Sequence, residues 1–364
     1  MKKLLSLVLS LTLAMAVLAG CGGASETSTT VSTAASTEAN ATVSTATSTT
    51  PSTDANGDSV KTGLAVVSSI AKSTDAGEKD GLAEVDSIIA AVTVDKDGKI
   101  VKCAIDAAQT KINFSAAGKI VTDLKAEFKS KQELGTEYGL KAASGIAKEW
   151  NEQADAFAAY VVGKTVAEVK GIAVTAEGVT SDKELATSVT VKIGDFIAVT
   201  EKAVSGAQDL GAKAGDKLGL GVNTNIAGSL DVADKDGLAQ AYSYYTATTS
   251  GADSKITSCV IDASQSNVNF SKVGKVTSDL KAALKTKDEL GTEYGMLKVS
   301  KIKKEWNEQA TAFAAYVVGK TVDEVKGIAI NADGAPTISE LTSSVTVHIS
   351  DFTATIEKAN AKAK

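Results

Sequence analysis

Two stretches of this chain repeat one another at a constant offset of 156 positions: Cys103 with Cys259, Trp150 with Trp306 and Glu201 with Glu357, without insertion or deletion between them. A repeat this long contains several secondary-structure elements, so each copy is expected to close on its own core rather than stack as one turn of a solenoid. Copy one is placed at 62–206, a connector at 207–217 and copy two at 218–364, arranged as beads on a string.

The segment ahead of the repeats has a different character. Lys2 and Lys3 precede an apolar run from Leu4 to Leu18, and Leu18-Ala19-Gly20 stands directly before Cys21. A short apolar run with small residues before a cysteine is a secretory leader ending in a lipobox, here over residues 1–20. The pattern resembles that of bacterial lipoproteins, which implies diacylglycerol on Cys21 and a cell-membrane anchor on the extracytoplasmic face. Residues 21–61 are Ser, Thr and Ala with scattered acids and no aromatic side chain. Such a stretch cannot bury enough apolar surface to fold, and predicts a disordered tether with a reach of roughly 35 Å.

Without Lys2 and Lys3 the chain carries 36 basic against 44 acidic residues, a formal charge of −8. This balance, with no Lys or Arg run, disfavours nucleic acid as a partner. Cys103 and Cys259 are the only other cysteines, each in an alternating segment with apolar neighbours, and read as buried core thiols. His348 is the sole histidine, so neither a zinc site nor a Ser-His-Asp triad can belong to the repeat, and no metal site is expected.

Within copy one, Val85–Val94, the turn Asp95-Lys96-Asp97-Gly98 and the alternating Lys99–Asp106 predict a β-hairpin. A short strand is expected near Lys119–Asp123. Ile146, Trp150, Ala154, Phe157 and Val161 recur at helical spacing, leaving Lys148, Glu149, Glu152 and Asp155 on the solvent side, and Gly163 ends the helix. Thr165 and Glu168 form a capping box for a second helix, as do Thr321 and Glu324. A last amphipathic helix is expected over Thr190–Val204. The fold class is α+β, with two tandem domains each built from a hairpin-based sheet and amphipathic helices.

The block Leu134-Gly135-Thr136-Glu137-Tyr138-Gly139 is identical in copy two, and reads either as a ligand lip or as a structural turn whose tyrosine packs locally. The order of hairpin, Glu-containing glycine loop, helix ending in Gly-Lys and Ser/Thr-rich segment before a final helix resembles the FMN-binding domain of extracytoplasmic electron-transfer flavoproteins. In that family a Ser-Gly-Ala-Thr motif precedes the last helix, and a flavin transferase links FMN to its threonine. Here the segments read Thr187-Ser188-Val189-Thr190 and Ser343-Ser344-Val345-Thr346. The resemblance implies FMN attached at Thr190 and Thr346 beside Ser188 and Ser344, with Tyr138 and Tyr294 near the ring. It implies a redox carrier, not a stand-alone enzyme, working with a flavin transferase and a redox partner. On the residues alone, the two threonines read as helix N-caps or as strand residues. The alternative function is a non-enzymatic surface lipoprotein that binds a small molecule, glycan or protein.

Overall fold

The computed structural model describes residues 57–364. The leader, Cys21 and most of the expected tether lie outside the described residues. The end of that tether does not: Val60 is buried, Ser59 bridges to Lys213, and a strand begins at Lys61. Val60 donates its N–H to Ala212 at 3.0 Å.

Each half contains a three-stranded antiparallel sheet. In the first, β1 (Lys61–Ser69), β2 (Gly81–Val94) and β3 (Ile100–Phe114) pair in chain order; β4 (Lys217–Asn225), β5 (Gly237–Ser250) and β6 (Ile256–Phe270) do the same in the second. The hairpin expected around Asp95–Gly98 is β2–β3, with Gly98 at φ +76° in the turn. Strands β1 and β4 are additions to the sequence reading. The strand expected near Lys119 is reduced to a single bridge between Phe114 and Ile120, since the Ile120 N–H is taken by Asp231 of the other half at 2.8 Å.

Helices follow each sheet: α1 (Lys131–Leu134), α2 (Trp150–Val161), α3 (Val166–Lys170) and α4 (Gly194–Ser205), then α5 (Lys287–Leu290), α6 (Trp306–Val317), α7 (Val322–Lys326), α8 (Ser339–Thr342) and α9 (Ser350–Ala361). The capping boxes of α3 and α7 form as expected. Helix α2 starts at Trp150, four residues after Ile146, because Glu149 is its N-cap in a box with Glu152. Glu149 is 4% exposed and accepts the Leu140 N–H at 2.8 Å, which corrects its placement on a solvated face.

The strands alternate between two buried faces. On β2, Ala90, Val92 and Val94 pack against the helices with Trp150, Phe157 and Phe196, whereas Ala83, Val85, Ile89 and Ala91 face the other half. There they join Leu218, Leu220, Val222, Tyr245 and Phe270 in clusters built from both copies. The layers run helix, sheet, sheet, helix. Independent beads are thus replaced by one shared core, because a strand apolar on both sides needs cover on both. Close packing on the helix side depends on glycine: a Cβ on Gly219 or Gly221 would lie 1.9 or 2.0 Å from a carbonyl oxygen of α9. Cys259 is buried but Cys103 only partly so, which corrects its reading as a buried core thiol; both are free thiols on the helix-facing side of their strands, and desolvation pushes the Cys103 thiol up to about 12.

Candidate functional site

Thr190 and Thr346 stand in irregular segments that no helix claims. Helix α4 begins only at Gly194 and α9 at Ser350; their N-caps are Ile193 and Ile349, and neither cap bonds through its side chain. Both the N-cap reading and the placement of these hydroxyls at a helix mouth are corrected. The cause is a buried glutamine that sequence reasoning passed over. Gln153 Oε1 accepts the N–H groups of Thr190 at 2.7 Å and Val191 at 3.1 Å, and the Thr190 hydroxyl at 3.2 Å. Gln309 repeats this with Thr346 and Val347 at 2.8, 3.2 and 3.1 Å to the same three donors in the order amide, amide, hydroxyl. Three donors on one oxygen hold the segment off the helical path. Gln153 lies inside the block Glu149–Ala154 that is identical in both copies, and that identity was its only signal.

Both threonines are exposed, while Val189 and Val345 beside them are core residues. Ser188 and Ser344 turn back, donating to the carbonyls of Leu185 at 3.3 Å and Leu341 at 3.2 Å. Neither serine presents a free hydroxyl proton to a ligand in this rotamer.

In the second half, Thr346 lies on the wall of a cavity of about 650 Å³. Tyr294, placed near a ligand by the sequence reading, lines the same cavity, together with Tyr242, Tyr244, Lys287 and Trp306. Tyr242 and Tyr244 project from the helix-facing side of β5 and stack with centroids 4.5 Å apart, and Trp306 meets Phe352 edge-on at 5.6 Å. Lys287, only 2% exposed, donates to the Tyr242 hydroxyl and lies over the rings of Tyr242, Tyr294 and Trp306 at 4.4, 4.5 and 4.9 Å. Burial pushes its amine down to about 7, opposed by the carboxylate of Asp262. Burial also raises the Tyr242, Tyr244 and Tyr294 hydroxyls, so all three are neutral donors at pH 7.

No family model, curated protein or solved structure matches this chain.

The equivalent region of the first half is differently furnished. Asp86 and Ile88 occupy the strand positions of Tyr242 and Tyr244, and Asp86 pairs with Lys72 at 2.7 Å. Tyr138 is partly buried against the first core, with Lys131 over its ring at 4.6 Å. Glu137 and Glu293, on the glycine-bracketed loops, pair with Lys129 and Lys285 at 2.8 Å each. Sequence reasoning sought the site where the copies agree, whereas the tyrosine pair of β5 is a place where they differ.

Proposed function

We propose that the second half binds a planar aromatic ligand in the cavity between β5, α6 and the segment before α9, and we read that ligand as FMN. The observation that carries this reading is the convergence of Thr346 and Tyr294, separated by more than fifty residues, on one aromatic-lined cavity. About 650 Å³ is within the range of roughly 300–1,000 Å³ typical of small-ligand sites, and aromatic walls with a few polar groups suit a flat heterocycle. The residues present fit the group: Tyr242, Tyr294 and Trp306 would hold its ring, and Thr346 its phosphate end. Bound flavin would supply one- and two-electron transfer; the chain positions and shields it. In this reading the protein is a lipid-anchored extracytoplasmic redox carrier, tethered through Cys21, whose two halves descend from one duplicated unit, with a flavin transferase and a redox partner as its associates.

A second reading is favoured by a specific contact. The Thr346 hydroxyl already donates to Gln309 at 3.1 Å, and the glycine and alanine of the family motif are Ser344 and the core residue Val345. That arrangement suits reversible binding by a surface module better than entry into a transferase cleft. The chain co-expressed with a flavin transferase and run on a denaturing gel separates the two. Fluorescence that survives denaturation and is lost in Thr346→Val supports covalent attachment. Native FMN binding without gel fluorescence supports the reversible module, and absence of both rejects the flavin reading.

A further inference from the structure

A buried ammonium is costly unless a counter-charge accompanies it. Among the described residues no carboxylate lies within ion-pair distance of Lys287; its one hydrogen-bond partner is the Tyr242 hydroxyl, and Asp262 acts on it only at longer range. Asp262 is itself committed, accepting the N–H groups of Ala263 at 2.7 Å and Asp288 at 3.1 Å. The groups that face Lys287 are otherwise neutral: Tyr242 from β5, Tyr294 from the glycine-bracketed loop and Trp306 from α6. Lys301, Asp333 and His348 are the ionisable groups on the remaining cavity wall.

The first half lacks this arrangement. Lys131 rests on two rings, Tyr138 at 4.6 Å and Trp150 at 5.2 Å, and the third position on the neighbouring strand is Asp86, a carboxylate where the second half has a tyrosine. Asp86 is paired with Lys72 at 2.7 Å and offers no ring to the ammonium or to a ligand, and Ile88 removes the stacked partner that Tyr244 provides.

We propose that the second-half cavity takes one planar anion per chain, with Lys287 as its counter-charge, and that the first half takes none. The inference rests on the reading of this cavity as a planar-ligand site and adds charge selection and stoichiometry to it. An anion beside Lys287 favours the ammonium over the free amine, so binding draws a proton onto the side chain and weakens as the pH rises above the neutral range.

Isothermal calorimetry on the full chain with 2-naphthalenesulfonate and its neutral isostere 2-naphthalenesulfonamide tests this without any substitution. At pH 6.5 the sulfonate is expected to bind at one per chain and at least roughly tenfold more tightly than the sulfonamide, a preference that shrinks by pH 9. Lys287→Gln should erase the preference and Lys131→Gln should leave it. Equal affinity for the two probes overturns the charge selection while the planar site stands, and two equivalents bound overturns the asymmetry. Sulfonate binding that FMN does not displace removes the flavin reading and keeps the anion site. If neither probe binds, the site and the inference both fall.

Discussion

Phe114 and Phe270 stack on one another across the junction of the two halves, with ring centroids 4.3 Å apart and planes within 13°. They are equivalent positions of the repeat, and a residue that meets its own equivalent lies on a local two-fold axis. The surrounding contacts are reciprocal in the same sense. Lys119 pairs with Asp231 at 3.0 Å and Lys275 with Asp75 at 2.9 Å; Lys202 pairs with Glu289 at 2.6 Å and Lys358 with Glu133 at 2.9 Å. Residues at the 156-position offset thus meet in reciprocal pairs across the junction, and each sheet covers the second apolar face of the other.

Truncating one ring of that stack tests the shared core. Phe114→Ala is expected to lower stability by about 3–5 kcal/mol, the cost of emptying a fully buried aromatic site. Because the core belongs to both halves, the loss should appear in both at once. Denaturant curves of the Trp150→Phe and Trp306→Phe backgrounds, each reporting one half, should move together and stay superimposable. Two separated transitions would show that the halves stand independently.

The glutamine latch offers a second test. Gln153→Leu keeps the volume roughly constant but leaves the Thr190 and Val191 amides without their acceptor, at about 1–3 kcal/mol for each one that water cannot reach. Hydrogen exchange at those two amides should accelerate strongly, with little change in the β2–β3 ladder. Gln309→Leu should do the same at Thr346 and Val347 and also weaken any ligand bound against Thr346. Unchanged exchange in both variants would mean that backbone geometry alone holds these segments.

The pH dependence of stability is expected to carry two opposed limbs from neighbouring buried groups. Asp262 is raised from 3.8 to about 7 by burial, so the folded chain holds a proton that the unfolded chain releases, and stability falls as pH climbs between those values. Lys287 is lowered from 10.5 to about 7, so the unfolded chain holds the extra proton above neutrality, and stability recovers as pH climbs from about 7 toward 10.5. Together they place a minimum near pH 7 in their joint contribution. Urea midpoints measured from pH 4 to 10 should lose the falling limb in Asp262→Asn and the rising limb in Lys287→Met. A wild-type profile that both variants reproduce unchanged would count against the burial of these charges.

What could be read in the sequence was what a few adjacent residues decide by themselves. The hairpin turn at Asp95–Gly98 closes because Gly98 reaches a positive φ, and the boxes Thr165/Glu168 and Thr321/Glu324 satisfy amides three residues away. The aromatic stripe of Trp150 and Phe157 is core for the same local reason, helical spacing on an apolar face. The repeat itself was visible as an offset, whereas the two buried faces of β2 were not read.

Which surface covers the second of those faces is a matter between residues far apart in the chain, and only the tertiary structure decided it. Nothing local distinguishes Val85, which meets the other half, from Val92, which meets the helices. Glu149, Gln153 and Lys287 are polar types that ordinarily face water, and each is buried because a distant group or cluster of rings receives it. The cavity follows the same rule: Thr346 and Tyr294 could be named one by one, but Tyr242, Tyr244 and Lys287 became its walls only when β5, α5 and α6 were brought together. Local free energies choose turns and caps, whereas the burial of a charge is decided by whatever the folded chain carries to it.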